Sequence, residues 1–142
     1  MAELRLERTF DAPPEEVFDA WTRPEVLQRW WAADPDWDTP EAEVDLRRGG
    51  RYRLTMRDPA NGNEHTVEGE YTEIERPSRL AYTWSWIGYP MDTLVTVEFR
   101  PMGDATTVVL THTDLPDDEQ RAQHEHGWQA CLDNLDERVL LA

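Results

Sequence analysis

The chain contains no lysine, a single cysteine, and no apolar run approaching the roughly 18 residues that a membrane-spanning helix requires. Each shortage excludes something. Without lysine, no side chain can form a Schiff base with a carbonyl substrate or a pyridoxal-type cofactor. With Cys131 alone, no disulfide can close within the chain, which fits a reducing compartment. The N-terminal MAELRLERTF alternates charged and apolar residues and holds no secretory apolar segment, so a cytoplasmic protein is expected. Basic charge is scarce as well: 14 arginines stand against 30 acidic residues, a net charge of −16. Such a charge repels phosphate backbones and anionic lipid, and argues against nucleic-acid and membrane partners. The acidic excess is what a solubilising surface carries.

What the chain does have is pattern. Its 142 residues fit one domain spanning 1–142, of a size that buries roughly 70% of the surface its unfolded chain exposes. Residues 3–10, ELRLERTF, set Leu4, Leu6, Arg8 and Phe10 on one side, the period of a strand. Asp11-Ala12-Pro13-Pro14 breaks it, and a short helix with Val17, Phe18 and Trp21 follows. Thr22-Arg23-Pro24-Glu25 has the spacing of a capping box, which predicts a second short helix carrying Val26, Leu27, Trp30 and Trp31. From 42 to about 113 the period is two, interrupted by turn chemistry such as Arg48-Gly49-Gly50 and Arg100-Pro101-Met102-Gly103-Asp104. That predicts six strands in an antiparallel meander, with an inner face that includes Tyr52, Leu54, Met56, Val67, Tyr71, Leu80, Tyr82, Trp84 and Trp86. Val95, Val97, Phe99, Val108, Leu110 and His112 continue that face.

After Asp114-Leu115-Pro116, Asp117 caps a helix of about 24 residues that runs to the end of the chain. Trp128, Cys131, Leu132, Leu135 and Val139 form its apolar stripe. The expected architecture is α+β: a seven-stranded curved antiparallel sheet, two short helices after strand 1 and one long C-terminal helix. Strands twist, so a single straight helix cannot touch the whole concave face equally. A space should remain between them, and Tyr82, Trp84 and Trp86 should project into it.

The aromatic set Trp30, Trp31, Tyr82, Trp84, Trp86 and Trp128 can be weighed two ways: as a ligand cavity, or as core filling by large rings. Tyr82, Trp84, Trp86, Trp128, Met56 and His112 are the candidate ligand-binding residues, with His112 as a polar anchor or acid/base; Trp21 and Trp31 are assigned to the core. His124 and His126, two apart on a helix, cannot form an i, i+4 metal pair and are expected at the surface. Cys131 is expected to be an inert buried thiol. Alternation aims Glu73 inward, unless a bulge before Ile74 turns it out. No G-x-S-x-G, phosphate-binding glycine loop, H-E-x-x-H or Cys-x-x-Cys occurs, so no metal or cofactor is expected.

Several segments in order resemble one family. RTFDAPPEEVFDAWTRPEVLQRWW (8–31), GGRYR (49–53), GEYTEIERPSRLAYTWSW (69–86), VTVEF (95–99), TTVVLTHTDLP (106–116) and HEHGWQACLDNL (124–135) together cover nearly the whole chain. The chain resembles the START-like, polyketide-cyclase-like (SRPBCC) superfamily with its helix-grip fold, and within it the Aha-type group, homologues of the domain that activates the heat-shock protein 90 ATPase. Where that family often has glycine after the tryptophan pair, this chain has Ala32-Ala33-Asp34-Pro35. The resemblance implies a deep apolar pocket between the long helix and the sheet. It also implies three roles to distinguish: binding of a small apolar or aromatic ligand, a chaperone-associated or stress-related interaction module, and a cyclase- or hydrolase-like enzyme using one acid or base. Expected partners are accordingly a small apolar molecule, a chaperone, or a second copy in a homodimer.

Overall fold

The computed structural model describes residues 2–34 and 36–140, with Pro90 described by its backbone alone. Strand β1 (Ala2–Phe10) is followed by α1 (Pro14–Thr22) and α2 (Pro24–Trp30), then β2 (Asp38–Val44), β3 (Arg51–Arg57), β4 (Glu64–Glu75), β5 (Arg79–Trp86), β6 (Tyr89–Met102) and β7 (Ala105–Leu115). The terminal helix α3 (Asp118–Leu135) continues through Asp136–Leu140 with π-type hydrogen bonding. The seven strands form one antiparallel sheet in the order β1-β7-β6-β5-β4-β3-β2. Strands 2 to 7 are thus a simple meander, and β1 returns to pair with β7, as the short connections require.

One local expectation is corrected, and one left open is decided. Thr22 does not cap α2: it is the last residue of α1, and its hydroxyl donates to the Phe18 carbonyl oxygen at 3.0 Å. Arg23 alone separates the helices and caps α2 without a side-chain bond. Pro24, in the first turn, has no N–H to satisfy, which lessens the need for a cap. Glu73 turns outward at a register shift between Tyr71 and Glu73 and pairs with Arg79 at 2.9 Å. At the start of α3, Asp117 accepts from the Gln120 backbone N–H at 2.8 Å, and two acids follow in the first turn, where the helix dipole favours them. The expected end of the helix, Leu141 and Ala142, and Pro35 of the loop after the tryptophan pair lie outside the described residues.

The core is continuous across the concave face, from Leu4 and Phe10 through Phe18, Trp21 and Trp30 to Leu80, Val95, Val97, Phe99, Leu110, Leu132 and Leu135. Arg8, an arginine on the inner face of β1, reaches α3 and meets Asp133 at 2.8 Å. Helix α3 packs over β1 and β7 and against α2. That seating leaves a gap between α3 and part of the sheet made by β3, β5 and β6.

Candidate functional site

Over those strands lies a cavity of about 390 Å³, within the range of roughly 300–1,000 Å³ usual for small-molecule pockets. The sheet contributes Met56 from β3, Trp84 and Trp86 from β5, and Tyr89 from β6. Trp84 and Trp86 share a face because side chains alternate along a strand. Helix α3 contributes Gln120, Gln123, His124, Gly127, Trp128 and Cys131, a stripe set by the helical repeat. Trp31 and Ala33 close the end beneath α2. Tyr89, 54% exposed, and exposed Gln123 mark the mouth. A Cβ at Gly127 would lie 3.5 Å from that of Ala33, so glycine there leaves its volume to the cavity.

The rings are in mutual contact. Trp84 meets Trp128 at 5.1 Å between centroids and Trp86 edge-on at 5.4 Å. Trp31 meets Trp84 at 6.1 Å and Trp86 at 6.5 Å. These separations suit offset or edge-to-face pairs.

Two histidines stand among these indoles, and each is locked in one neutral form. The Trp128 Nε1–H donates to His112 Nδ1 at 3.2 Å, so Nδ1 must be bare. On the other side, the Thr93 hydroxyl donates to the Trp84 carbonyl oxygen at 2.8 Å. Its oxygen is therefore left to accept from His112 Nε2–H at 3.0 Å. His124 takes the opposite tautomer: its Nε2 accepts from Trp86 Nε1–H at 3.0 Å, and its Nδ1–H donates to the Gln120 carbonyl oxygen at 2.7 Å. A proton added to either ring would face an indole N–H. Burial, with His124 nearby, lowers the His112 pKa to about 3, and burial also lowers that of His124. The two imidazoles lie 5.2 Å apart edge to face, a contact two charges would oppose.

Of the six residues singled out in the sequence, Met56, Trp84, Trp86 and Trp128 line the cavity. Tyr82 does not. Its hydroxyl accepts from Trp21 Nε1–H at 3.2 Å, and its ring faces a small void of about 10 Å³ shared with Tyr52 and Tyr71. His112 is fully buried behind Trp84 and Trp128, with both nitrogens engaged. The expected surface position of His124 is corrected: it is buried and lines the cavity. The signal was available, since His124, Trp128, Cys131 and Leu135 continue one stripe at i, i+4, i+7, i+11. Trp31, assigned to the core, is buried but also walls the cavity.

Cys131 donates from Sγ to the Ala32 carbonyl oxygen at 3.1 Å, and burial pushes its thiol up to about 12. Trp84 Nε1 is the one buried side-chain nitrogen or oxygen without a hydrogen-bond partner among the described residues. No described group of three or more histidine, cysteine or acidic side chains is arranged to hold a metal ion. No helix among the described residues is long and apolar enough to cross a membrane.

Comparison with known proteins agrees with this architecture. Residues 11–139 match the family described as "Activator of Hsp90 ATPase homolog 1-like protein". The mouse "Activator of 90 kDa heat shock protein ATPase homolog 1" is 24% identical over 128 residues, which cover 89% of this chain and 33% of that protein. This chain thus spans about a third of the length of the curated relatives it matches. Among solved structures, a protein from Chromobacterium violaceum has a TM-score of 0.86 at 28% identity, with 96% of each chain covered. An AHSA1-like protein from Aeromonas hydrophila has a TM-score of 0.83 at 30% identity, covering 95% of this chain and 90% of that one. An "HSP90 activator" from Plasmodium falciparum has a TM-score of 0.75 at 27% identity, covering 95% and 94%. Sheet order, terminal helix and matched span converge: the chain is a START-like helix-grip protein and belongs to the family of activator of Hsp90 ATPase homolog 1-like proteins.

Proposed function

We propose that the protein binds a small apolar or aromatic molecule in the cavity between α3 and the sheet. The observation that carries this is the cavity itself: about 390 Å³ of space walled by four indoles and Met56, with no charged side chain in its lining. A cluster of rings that served only to fill a core would close such a space, because interiors pack to the density of organic crystals. Here the rings stand around it. The locked histidines argue against the enzymatic reading, since neither imidazole can exchange a proton near neutral pH without giving up an indole partner. Intrinsic fluorescence tests the proposal. Titration with a library of apolar and aromatic compounds should give saturable quenching, lost in Trp84→Ala while the fold is retained by circular dichroism. Absence of saturable binding across the library overturns it.

A second role, association with a chaperone, is supported by the names of the mouse relative and of the Plasmodium falciparum protein, the latter covered to 94% by this chain. Its test is direct: purified heat-shock protein 90 is immobilised and challenged with this chain, and its ATPase rate is read with and without it. Capture together with a rise in rate supports the role, and neither appearing rejects it.

A further inference from the structure

The chemistry of the cavity says which molecules it rejects. An anionic ligand would find no cation in the lining. Of the donors in the lining, the N–H groups of Trp86 and Trp128 and the thiol of Cys131 are engaged by protein acceptors, and Trp31 Nε1, the Tyr89 hydroxyl and the side-chain amides of Gln120 and Gln123 carry no charge to offer an anion. Trp84 Nε1 exposes no surface from which to reach a ligand. The histidines offer no charge either, because protonation would set them against the indoles that hold them.

Beside the lining residue Gln120, Asp117, Asp118 and Glu119 are exposed, and the neighbouring arginine, Arg121, meets Glu125 at 3.7 Å. With a net charge of −16 the surrounding potential favours cations and repels anions. Inside, four indoles are part of the lining. Trp31, Trp84 and Trp128 are buried, so what indole surface they turn to the cavity lies away from bulk water, where a cation is attracted to an indole most strongly.

We infer, on the strength of the cavity-binding proposal above, that the preferred ligand carries a weakly hydrated organic cation, such as a quaternary ammonium on an aromatic body, seated among the indoles of Trp31, Trp84, Trp86 and Trp128. A compact ammonium with free N–H groups is a poor occupant, since the lining holds no carboxylate to replace its water. A quaternary nitrogen has no N–H to satisfy.

Three probes of nearly the same shape decide it: phenyltrimethylammonium, its neutral isostere tert-butylbenzene, and the anion benzenesulfonate, each titrated by calorimetry and indole fluorescence at two salt concentrations. The ammonium should bind at least tenfold more tightly than tert-butylbenzene, and benzenesulfonate should not saturate. Trp31→Leu, which keeps an apolar wall but removes one π face, should weaken the ammonium at least fivefold and tert-butylbenzene less than twofold. If tert-butylbenzene binds as well as the ammonium or better, the cation inference is overturned while the cavity-binding proposal stands. Saturation by none of the three overturns the cation inference, and absence of saturable binding across the wider library of apolar and aromatic compounds overturns both. The comparison of isosteres needs only the unmodified protein, so a poorly folding variant does not compromise it.

Discussion

Lowering the pH from 7.5 to 5.0 should cost the fold about 2 kcal/mol through His112 alone. In the unfolded chain this imidazole titrates near the usual 6.5, whereas in the fold burial holds it at about 3. Below pH 6.5 the unfolded state therefore binds a proton that the native state refuses. Stability falls as pH drops through the unfolded value and goes on falling until the folded value is reached. Over the 1.5 units between 6.5 and 5.0, at about 1.4 kcal/mol per unit, the loss comes to about 2 kcal/mol. The many carboxylates titrate in the same region, so the effect has to be isolated by difference. Asn at position 112 carries both an acceptor for Trp128 and a donor for Thr93 but does not titrate. Urea unfolding followed by fluorescence at both pH values should show the wild-type protein losing about 2 kcal/mol more than His112→Asn. Equal losses in the two proteins would refute the claim that His112 is held neutral in the fold.

Trp86→Phe removes the donor that occupies His124 Nε2; the His124 pKa should rise toward its ordinary value, read by NMR titration of the ring proton, and an unchanged titration argues against the lock. Gly69→Ala places a Cβ 2.0 Å from the Thr83 carbonyl oxygen and 2.8 Å from the Tyr52 ring. The backbone oxygen cannot retreat without parting β4 from β5, so a loss of about 3 kcal/mol is expected in urea unfolding, and a neutral result would contradict the close approach. Asp117→Ala strips the α3 cap and should cost about 1 kcal/mol by the same assay, with no effect on ligand titrations.

The architecture was legible because period and punctuation agree along the whole chain. Alternation from Arg51 to Leu115, cut by glycine and proline, defines the meander, and the stripe from Trp128 to Leu135 defines the helix that covers it. The site was only half legible. Alternation says that Tyr82, Trp84 and Trp86 share a face, but not where along the strand the helix lifts away. Tyr82 lies where the core is closed by Trp21 and Tyr52, while Trp84 and Trp86 lie where α3 has left the sheet. The spacing of His124 to His126 carries no information on burial, whereas its four-residue distance to Trp128 sets it on the buried stripe. The capping box failed for a reason outside the motif: α1 runs on through Thr22 and uses up its hydroxyl.

The ring contacts have an optical consequence. Trp21 touches both Trp30 and Trp128, Trp128 touches Trp84, and Trp84 touches Trp31 and Trp86, so six of the seven tryptophans form one chain of neighbours. Only Trp37, stacked on His65, lies off it. At such separations excitation migrates between rings before it is emitted. Light absorbed by any member will leave mainly from whichever has the lowest-energy surroundings, and an occupant touching one indole will dim the whole group. The residual emission of a saturated sample should therefore come chiefly from Trp37.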